Sequence, residues 1–221
     1  MLASFKPYQD ISRTGRAALR MREGDRLVAY RDSVGVLTIS VGVTTASGLI
    51  TVTPGLTITQ AQSDALFATA VEKYVAPVRV ALSREVPQEF FDACCSLAYN
   101  IGPVAFTHSS VVRLANAGNL PAAIEAFLMW NKPAAIISRR QAERDQAATP
   151  YDKSLPRARR SDKVTVEEPP PLAAIPKAPA TASKASAPSQ PALTGGLSSA
   201  PTPAPGFWSR VHALLSRPKA A

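Results

Sequence analysis

Glu23 and Asp32 lie nine residues apart, and Thr38 follows six residues later. Two carboxyl groups and a hydroxyl can divide acid–base work: one acid protonates a leaving oxygen, while the other orients water or stabilises developing positive charge. Cleavage of a glycosidic bond needs that division, with the two acids facing each other across a cleft. The local settings suit it. Glu23 closes a segment of helical spacing in which Ile11, Ala18, Leu19 and Met21 line one face. Asp32 and Thr38 flank the turn at Gly35, which leads into a β-like run. Acids are common on solvated surfaces, so the spacing alone does not define a site and the neighbouring residues have to decide.

Ile11-Ser12 with Gly15 and Leu19, then Glu23-Gly24, Tyr30, Asp32, Gly35, Thr38 and Gly42-Val43-Thr44, resemble the signature of the phage-type lysozymes, muramidases of the endolysin class. The resemblance runs on through Leu56-Thr57-Ile58-Thr59-Gln60-Ala61, Tyr99-Asn100-Ile101-Gly102 and Phe106 with Ser109 and Ser110. It ends with Leu114-Ala115-Asn116-Ala117-Gly118, Trp130-Asn131-Lys132 and Arg139-Arg140 with Glu143, and so covers residues 11 to 146. It implies hydrolysis of the β-1,4 bond between N-acetylmuramic acid and N-acetylglucosamine in bacterial peptidoglycan, without a cofactor.

In that scheme Glu23 is the acid, kept protonated near neutral pH by a raised pKa, and Asp32 and Thr38 handle the water. The family inverts at the anomeric carbon, which needs carboxyls about 6.5 to 9.5 Å apart, against about 5 Å in a retaining enzyme. Arg139 matches a family arginine that pairs with the acid; a surface charge on the last helix is the competing reading. Thr44, Tyr99, Asn100 and Ser109 match substrate contacts, with Asn100 as a helix-end cap and Tyr99 as a core residue standing as alternatives. Trp130 reads as core. Two other activities share the pattern: a lytic transglycosylase, in which the sugar's 6-hydroxyl replaces water, and a peptidoglycan-binding protein that has lost turnover.

Departures concentrate after Thr38. The family commonly reads Thr-Ile-Gly-Tyr-Gly-His-Thr where this chain reads Thr38-Ile39-Ser40-Val41-Gly42-Val43-Thr44. Val43 replaces a histidine, and Ala70 replaces the aspartate that partners it in the family. Losing one member of a buried pair costs about 3–5 kcal/mol, whereas exchanging both for apolar residues is often neutral, so the double change reads as compensated packing. Ser40 in place of glycine is expected to crowd the cleft, because a missing side chain in a strand often marks a close approach.

The elements that must position these residues follow from pattern. Glycines and alternating β-branched residues from Val34 to Val52 predict a small hairpin lobe. Thr59 and Gln62 form a capping box opening a long helix from Gln60 towards Val80, with Leu66, Ala70, Tyr74 and Val75 on its apolar face. Further helices are expected near 87–100, 108–117, 120–130 and 135–147. The resemblance gathers these into an α+β, mainly helical, two-lobed lysozyme fold: a small β-hairpin lobe, a long linking helix and a helical lobe.

Of the 221 residues, 46% are apolar, enough for one core plus an appendage. The catalytic domain is assigned to residues 1–156, a Pro/Ala/Ser-rich linker to 157–206 and a short basic amphipathic helix to 207–217, with Phe207, Val211, Leu214 and Leu215 on its apolar side. Residues 157–221 carry nine Lys/Arg against three Asp/Glu, and residues 1–156 sixteen against thirteen. A basic terminus of this kind suits an anionic membrane or lipopolysaccharide; a solubilising linker is the alternative. The positive balance attracts nucleic acid only non-specifically, since no reading motif accompanies it. Cys94 and Cys95 are adjacent in an apolar pattern, which predicts reduced core thiols, with His108 on the surface. The first twenty-five residues hold no apolar run of secretory type, so accumulation in the host cytoplasm before lysis is expected, as a monomer.

Overall fold

Ser12 opens the first helix by accepting a hydrogen bond from the Gly15 N–H at 3.0 Å. In this computed structural model, which describes residues 8–32 and 35–166, that helix, α1, spans Arg13–Glu23. It stops at Gly24, whose φ of 79° and ψ of 142° suit a residue without a Cβ, and whose N–H returns to the Arg20 carbonyl at 2.9 Å. Glu23 is thereby fixed as the last helical residue. Ile11, Ala18 and Leu19 are buried as expected, but Met21 is 39% exposed. The inward stripe runs through Gly15, Ala18, Leu19 and Arg22 at helical spacing, so the turn that was expected to bury Met21 buries an arginine instead.

The sheet begins earlier than the glycine pattern suggested. β1 (Arg26–Arg31), β2 (Leu37–Ser40) and β3 (Val43–Thr44) form an antiparallel sheet in sequence order. Leu27 and Ala29 of β1 face the small-lobe core, an alternation too weak in Arg26-Leu27-Val28-Ala29-Tyr30-Arg31 to announce a strand. That core comprises Ile39, Val43, Val52 and Ile58, with Leu66 and Ala70 packed against it. Val43 and Ala70 therefore lie in one apolar cluster, as expected of a paired exchange.

α2 (Gln60–Ala81) starts with the expected capping box: Gln62 N–H to Thr59 Oγ1 at 3.2 Å, and Thr59 N–H to Gln62 Oε1 at 2.8 Å. It serves two cores. Leu66 and Ala70 meet the small lobe, while Phe67, Val71, Val75 and Val78, one position on, enter the large one. The expected face of Leu66, Ala70, Tyr74 and Val75 thus spans both cores, with only Val75 of the four fully buried.

α3 (Gln88–Ile101) is the hub of the large lobe, buried without interruption from Phe90 to Ala98. Its small residues Ala93, Cys94, Cys95, Ser96 and Ala98 let α1, α2 and α7 (Ile137–Ala148) approach from different sides. Between α3 and α7 come α4 (Pro103–Thr107), α5 (Ser110–Asn116) and α6 (Leu120–Glu125), with short 3₁₀ turns at Ala126–Met129 and Ala134–Ile136. The helix expected over 108–117 is α5, which begins at Ser110 behind its Ser109 cap, and that expected over 120–130 tightens after Glu125. Cys94 and Cys95 are buried free thiols, pushed well above their ordinary pKa chiefly by burial, and His108 is exposed.

Two polar positions, Asp92 and Ser96, interrupt the buried run of α3, and each has partners. Asp92 accepts from the Ser12 N–H at 2.9 Å, Gln88 Nε2 at 2.8 Å and the Tyr151 hydroxyl at 2.8 Å, and also from the Ser12 hydroxyl. Ser96 donates to Glu143 Oε1 at 2.6 Å. The chain continues past Pro156: Ala158 and Val166 are buried, although residues 157–166 had been assigned to the linker. The rest of that linker and the 207–217 segment lie outside the described residues. Among the described residues, no helix is long and apolar enough to cross a membrane.

Gly15 faces the Asp92 carboxyl so closely that an added Cβ would lie 2.3 Å from its Cγ. Helix propensity alone favours alanine by about 1 kcal/mol. Here overpacking reverses the sign, so Gly15→Ala is expected to lower unfolding stability by about 1–3 kcal/mol in urea titrations.

Candidate active site

Glu23 ends α1 with its side chain 9% exposed, and Arg139 Nη1 lies 2.6 Å from its Oε1. Arg139 is itself buried, so it is an internal charge and not a surface charge on the last helix. Its Nε donates to Glu143 Oε1 at 3.0 Å and its Nη2 to the Ser96 carbonyl at 3.5 Å. Burial works against the Arg139 charge, but Glu23 and Glu143 outweigh it and hold the guanidinium above its ordinary pKa.

Glu143 is fully buried. Burial alone would raise its pKa, yet Arg140, Arg139 and Arg22, with the Ser96 hydroxyl, bring it down to about 2. Arg140 also donates to Glu143 Oε2 and to Asn100 Oδ1, and its Nε donates to the Trp130 carbonyl at 3.0 Å. Arg22 is buried as well, which lowers its pKa to about 10 against the opposing pull of Glu143. The arrangement is a buried cluster of three arginines and two glutamates, drawn from α1 and α7 and buttressed by α3.

On the small-lobe side, Asp32 closes the turn at Gly35. Its N–H donates to the Val36 carbonyl at 3.0 Å, and its Oδ1 accepts from the Val36 N–H at 2.8 Å. Thr38 is 3% exposed and its hydroxyl donates to the Val36 carbonyl at 3.0 Å. Strand register places Thr38 between Tyr30 on β1 and Thr44 on β3, so the three form one row across the sheet. Burial raises the Tyr30 pKa; Arg26, whose guanidinium lies 4.6 Å from the ring centroid, opposes this, and Asp32 and Glu23 both add to it. The phenol therefore lies in the field of both carboxylates.

Tyr74 and Tyr99 complete an aromatic wall, with ring centroids 4.4 Å apart. Burial raises both phenols and Glu23 raises them further, so these two neighbours of Glu23 stay neutral beside the charged Arg139. Tyr99 also donates to the Val41 carbonyl at 2.8 Å, joining α3 to the small lobe. The sequence presents Tyr74 only as part of an apolar face and Tyr30 only as a motif residue. The period of two between Tyr30 and Asp32 was the available signal that they share a side.

The residues matched to substrate contacts divide by what they touch. Thr44 joins the row with Thr38. Asn100 holds Arg140, and the Ser109 hydroxyl caps α5 by accepting from the Val112 N–H at 3.3 Å. Trp130 packs against the large core.

Ser40 departs from expectation. Its φ is +55°, the left-handed region that glycine occupies freely, and its side chain is fully buried. Its hydroxyl lies 2.6 Å from that of Ser63 on α2, and Ser63 donates to Asp25 Oδ1 at 2.6 Å. The extra atoms point into the base of α2, where they tie the sheet to the loop after Glu23, and not into open space. Among the described residues, no group of three or more His, Cys, Asp or Glu is placed to hold a metal ion.

Residues 20–143 match the family described as Phage lysozyme. The endolysin of Salmonella phage P22 is 38% identical over 138 residues, covering 61% of this chain and 94% of that relative. A solved endolysin from Escherichia coli O157:H7 phage FAHEc1 superposes with a TM-score of 0.60 at 35% identity, covering 65% of this chain and 96% of the other. The muramidase domain of SpmX from Asticaccaulis excentricus gives a TM-score of 0.57 at 29% identity, covering 65% and 100%. The fold and site thus define a lysozyme-type enzyme of cell-wall lysis. The chain belongs to the phage lysozyme family.

Glu143 gives the cluster a pH signature. Its pKa falls from 4.5 to about 2 on folding, so its contribution is complete above about pH 4.5 and is lost as pH falls towards 2. That contribution is worth about 3 kcal/mol. Glu143→Gln is expected to cost about 3–5 kcal/mol at pH 7 and to flatten the stability profile between about pH 5 and 2, as read by urea unfolding across pH.

Proposed function

We propose that the protein is an inverting muramidase that hydrolyses the β-1,4 bond between N-acetylmuramic acid and N-acetylglucosamine in peptidoglycan. Glu23 protonates the glycosidic oxygen. Asp32, together with the Thr38 hydroxyl, orients the attacking water on the opposite face of the sugar and balances positive charge at the anomeric carbon. Thr44 in the sheet row, with Tyr99, Asn100 and Ser109 on the large lobe, is assigned to the sugar-binding surface.

One observation carries the reading: buried Arg139 meets Glu23 at the end of α1, while Tyr30 of β1, two residues before Asp32, pairs with Thr38 across the sheet. The Arg139 contact supports it by holding the Glu23 carboxyl in one orientation, which a proton donor requires. The polymer is reached during phage or prophage lysis by a monomeric enzyme released from the host cytoplasm. Contact of residues 207–217 with anionic membrane or lipopolysaccharide would concentrate it there.

Muropeptide mass spectrometry of digested sacculi tests the chemistry. Wild type is expected to release reducing muramic ends, initially as the α-anomer, and Glu23→Gln to slow their release by about 10²–10⁴-fold. Anhydro-muramic ends would instead assign a transglycosylase. A folded wild-type protein that binds glycan and yields no products would assign a binding role.

A further inference from the structure

The segment after α7 returns to the two residues that precede the members of the Glu23–Arg139 pair. Arg22, immediately before Glu23, donates from Nη2 to the Arg157 carbonyl at 3.0 Å and from Nε to the Ala158 carbonyl at 3.4 Å. Ser138, immediately before Arg139, receives the Arg160 N–H on its carbonyl at 3.0 Å, and its hydroxyl lies 3.2 Å from that of Ser161. Ala158 and Val166 are buried, and the Val166 N–H closes the segment on the Pro156 carbonyl at 2.8 Å. Tyr151 anchors its start on Asp92 at 2.8 Å. None of these strap residues falls within residues 20–143, the part of the chain that matches the family.

We infer that residues 157–166 form a positioning strap of the active site, gripping α1 at Arg22 and α7 at Ser138 and thereby setting the separation of Glu23 from Arg139. The inference rests on the reading of Glu23 as the acid. Its physical basis is the burial of Arg22, whose Nη1 has no hydrogen-bond partner among the described residues. Without the two strap carbonyls, a buried guanidinium would lose its remaining backbone acceptors and the end of α1 would have to shift. Arg22 also faces Glu143, Arg139, Arg140 and Tyr151, so its movement disturbs the same cluster that orients Arg139. Glu23 faces Arg139 from α7 and the neutral phenols of Tyr30, Tyr74 and Tyr99 from β1, α2 and α3. Arg139 is the charged group among these whose distance the strap controls.

The test uses the full chain with Ala158→Trp, too large for its buried site, and Val166→Asp, which places a charge in another. Trypsin cleavage after Arg157, Arg159 and Arg160 reports undocking, and circular dichroism reports that the helical lobe persists. Soluble uncrosslinked glycan strands serve as substrate. With the strap undocked, kcat is expected to fall about ten- to a hundredfold, with KM changed by less than about twofold. Loss of stability alone, with the helical lobe folded, would not lower kcat while leaving KM in place. Should either variant fail to fold, Arg22→Lys keeps the charge and loses the fork that reaches both carbonyls, and it is expected to lower kcat with KM unchanged in the same way. A trypsin-accessible strap with wild-type kcat would overturn the inference. Undiminished turnover by Glu23→Gln would instead refute the acid assignment, leaving the strap's grip on Arg22 and Ser138 as a matter of stability.

Discussion

Five charged side chains share one water-poor pocket in the large lobe: Glu23, Arg22, Arg139, Arg140 and Glu143. Removing each charge from water is costly, and mutual attraction offsets that cost only when geometry and hydrogen bonding are well satisfied. Much of the chain supplies that geometry. Glycine at position 15 lets α1 lie against Asp92, so that Arg22 and Glu23 arrive at the cluster. Small residues along α3 let α7 come close enough for Ser96 to reach Glu143. Asn100, the Trp130 carbonyl and the strap carbonyls take up the outward-facing donors of the arginines. Apolar replacements would serve stability about as well in many such clusters, so its worth lies in the orientation it imposes on the one carboxyl at its edge.

The second requirement of the proposed chemistry is that the sheet lobe keep a fixed relation to that carboxyl. α2 meets it by presenting adjacent stripes to two cores, so neither lobe can rotate about the helix without exposing apolar surface. Two polar ties refine the relation. Tyr99 of α3 donates to Val41 in the β2–β3 turn. The Ser40, Ser63 and Asp25 chain fastens the end of β2 and the loop after Glu23 to the first turn of α2. Ser40 accepts a left-handed backbone to make its bond, a cost of order 1–3 kcal/mol that surrounding structure must offset. Val43 and Ala70 pack in the small-lobe core with Ile39, the residue before Ser40.

The sequence displayed elements whose local chemistry is self-sufficient. The Thr59–Gln62 box announces α2 because capping depends on neighbours along the chain, and the motif spacing brought Glu23, Asp32, Thr38 and Arg139 to attention. Features set by distant partners stayed hidden. β1 has weak alternation and owes its identity to pairing with β2. Met21 and Arg22 exchange places because the buried cluster, not hydrophobicity, decides which residue of that turn points inward. Ser40 read as an obstruction because nothing local reveals that Ser63, twenty-three residues on, waits for its hydroxyl. Residues 157–166 have linker-like composition, but they are held by backbone carbonyls, which composition does not register.

The contact between Glu23 and Arg139 contains a tension that bears on the proposed chemistry. A guanidinium beside an acid favours the ionised form, which works against a proton donor at rest. During transfer the same guanidinium stabilises the carboxylate that the donor becomes, so its interaction strengthens as the glycosidic bond breaks. The surroundings limit the first effect and preserve the second. Glu143 shares Arg139, dividing its positive field between two carboxylates, while the neutral phenols of Tyr30, Tyr74 and Tyr99 restrict solvent near Glu23 without adding charge. In the proposed chemistry the two acids divide the work by their placement: Glu23, at the end of α1, is coupled to Arg139 as it gives up its proton, while Asp32, on the turn after β1, balances the positive charge developing on the sugar.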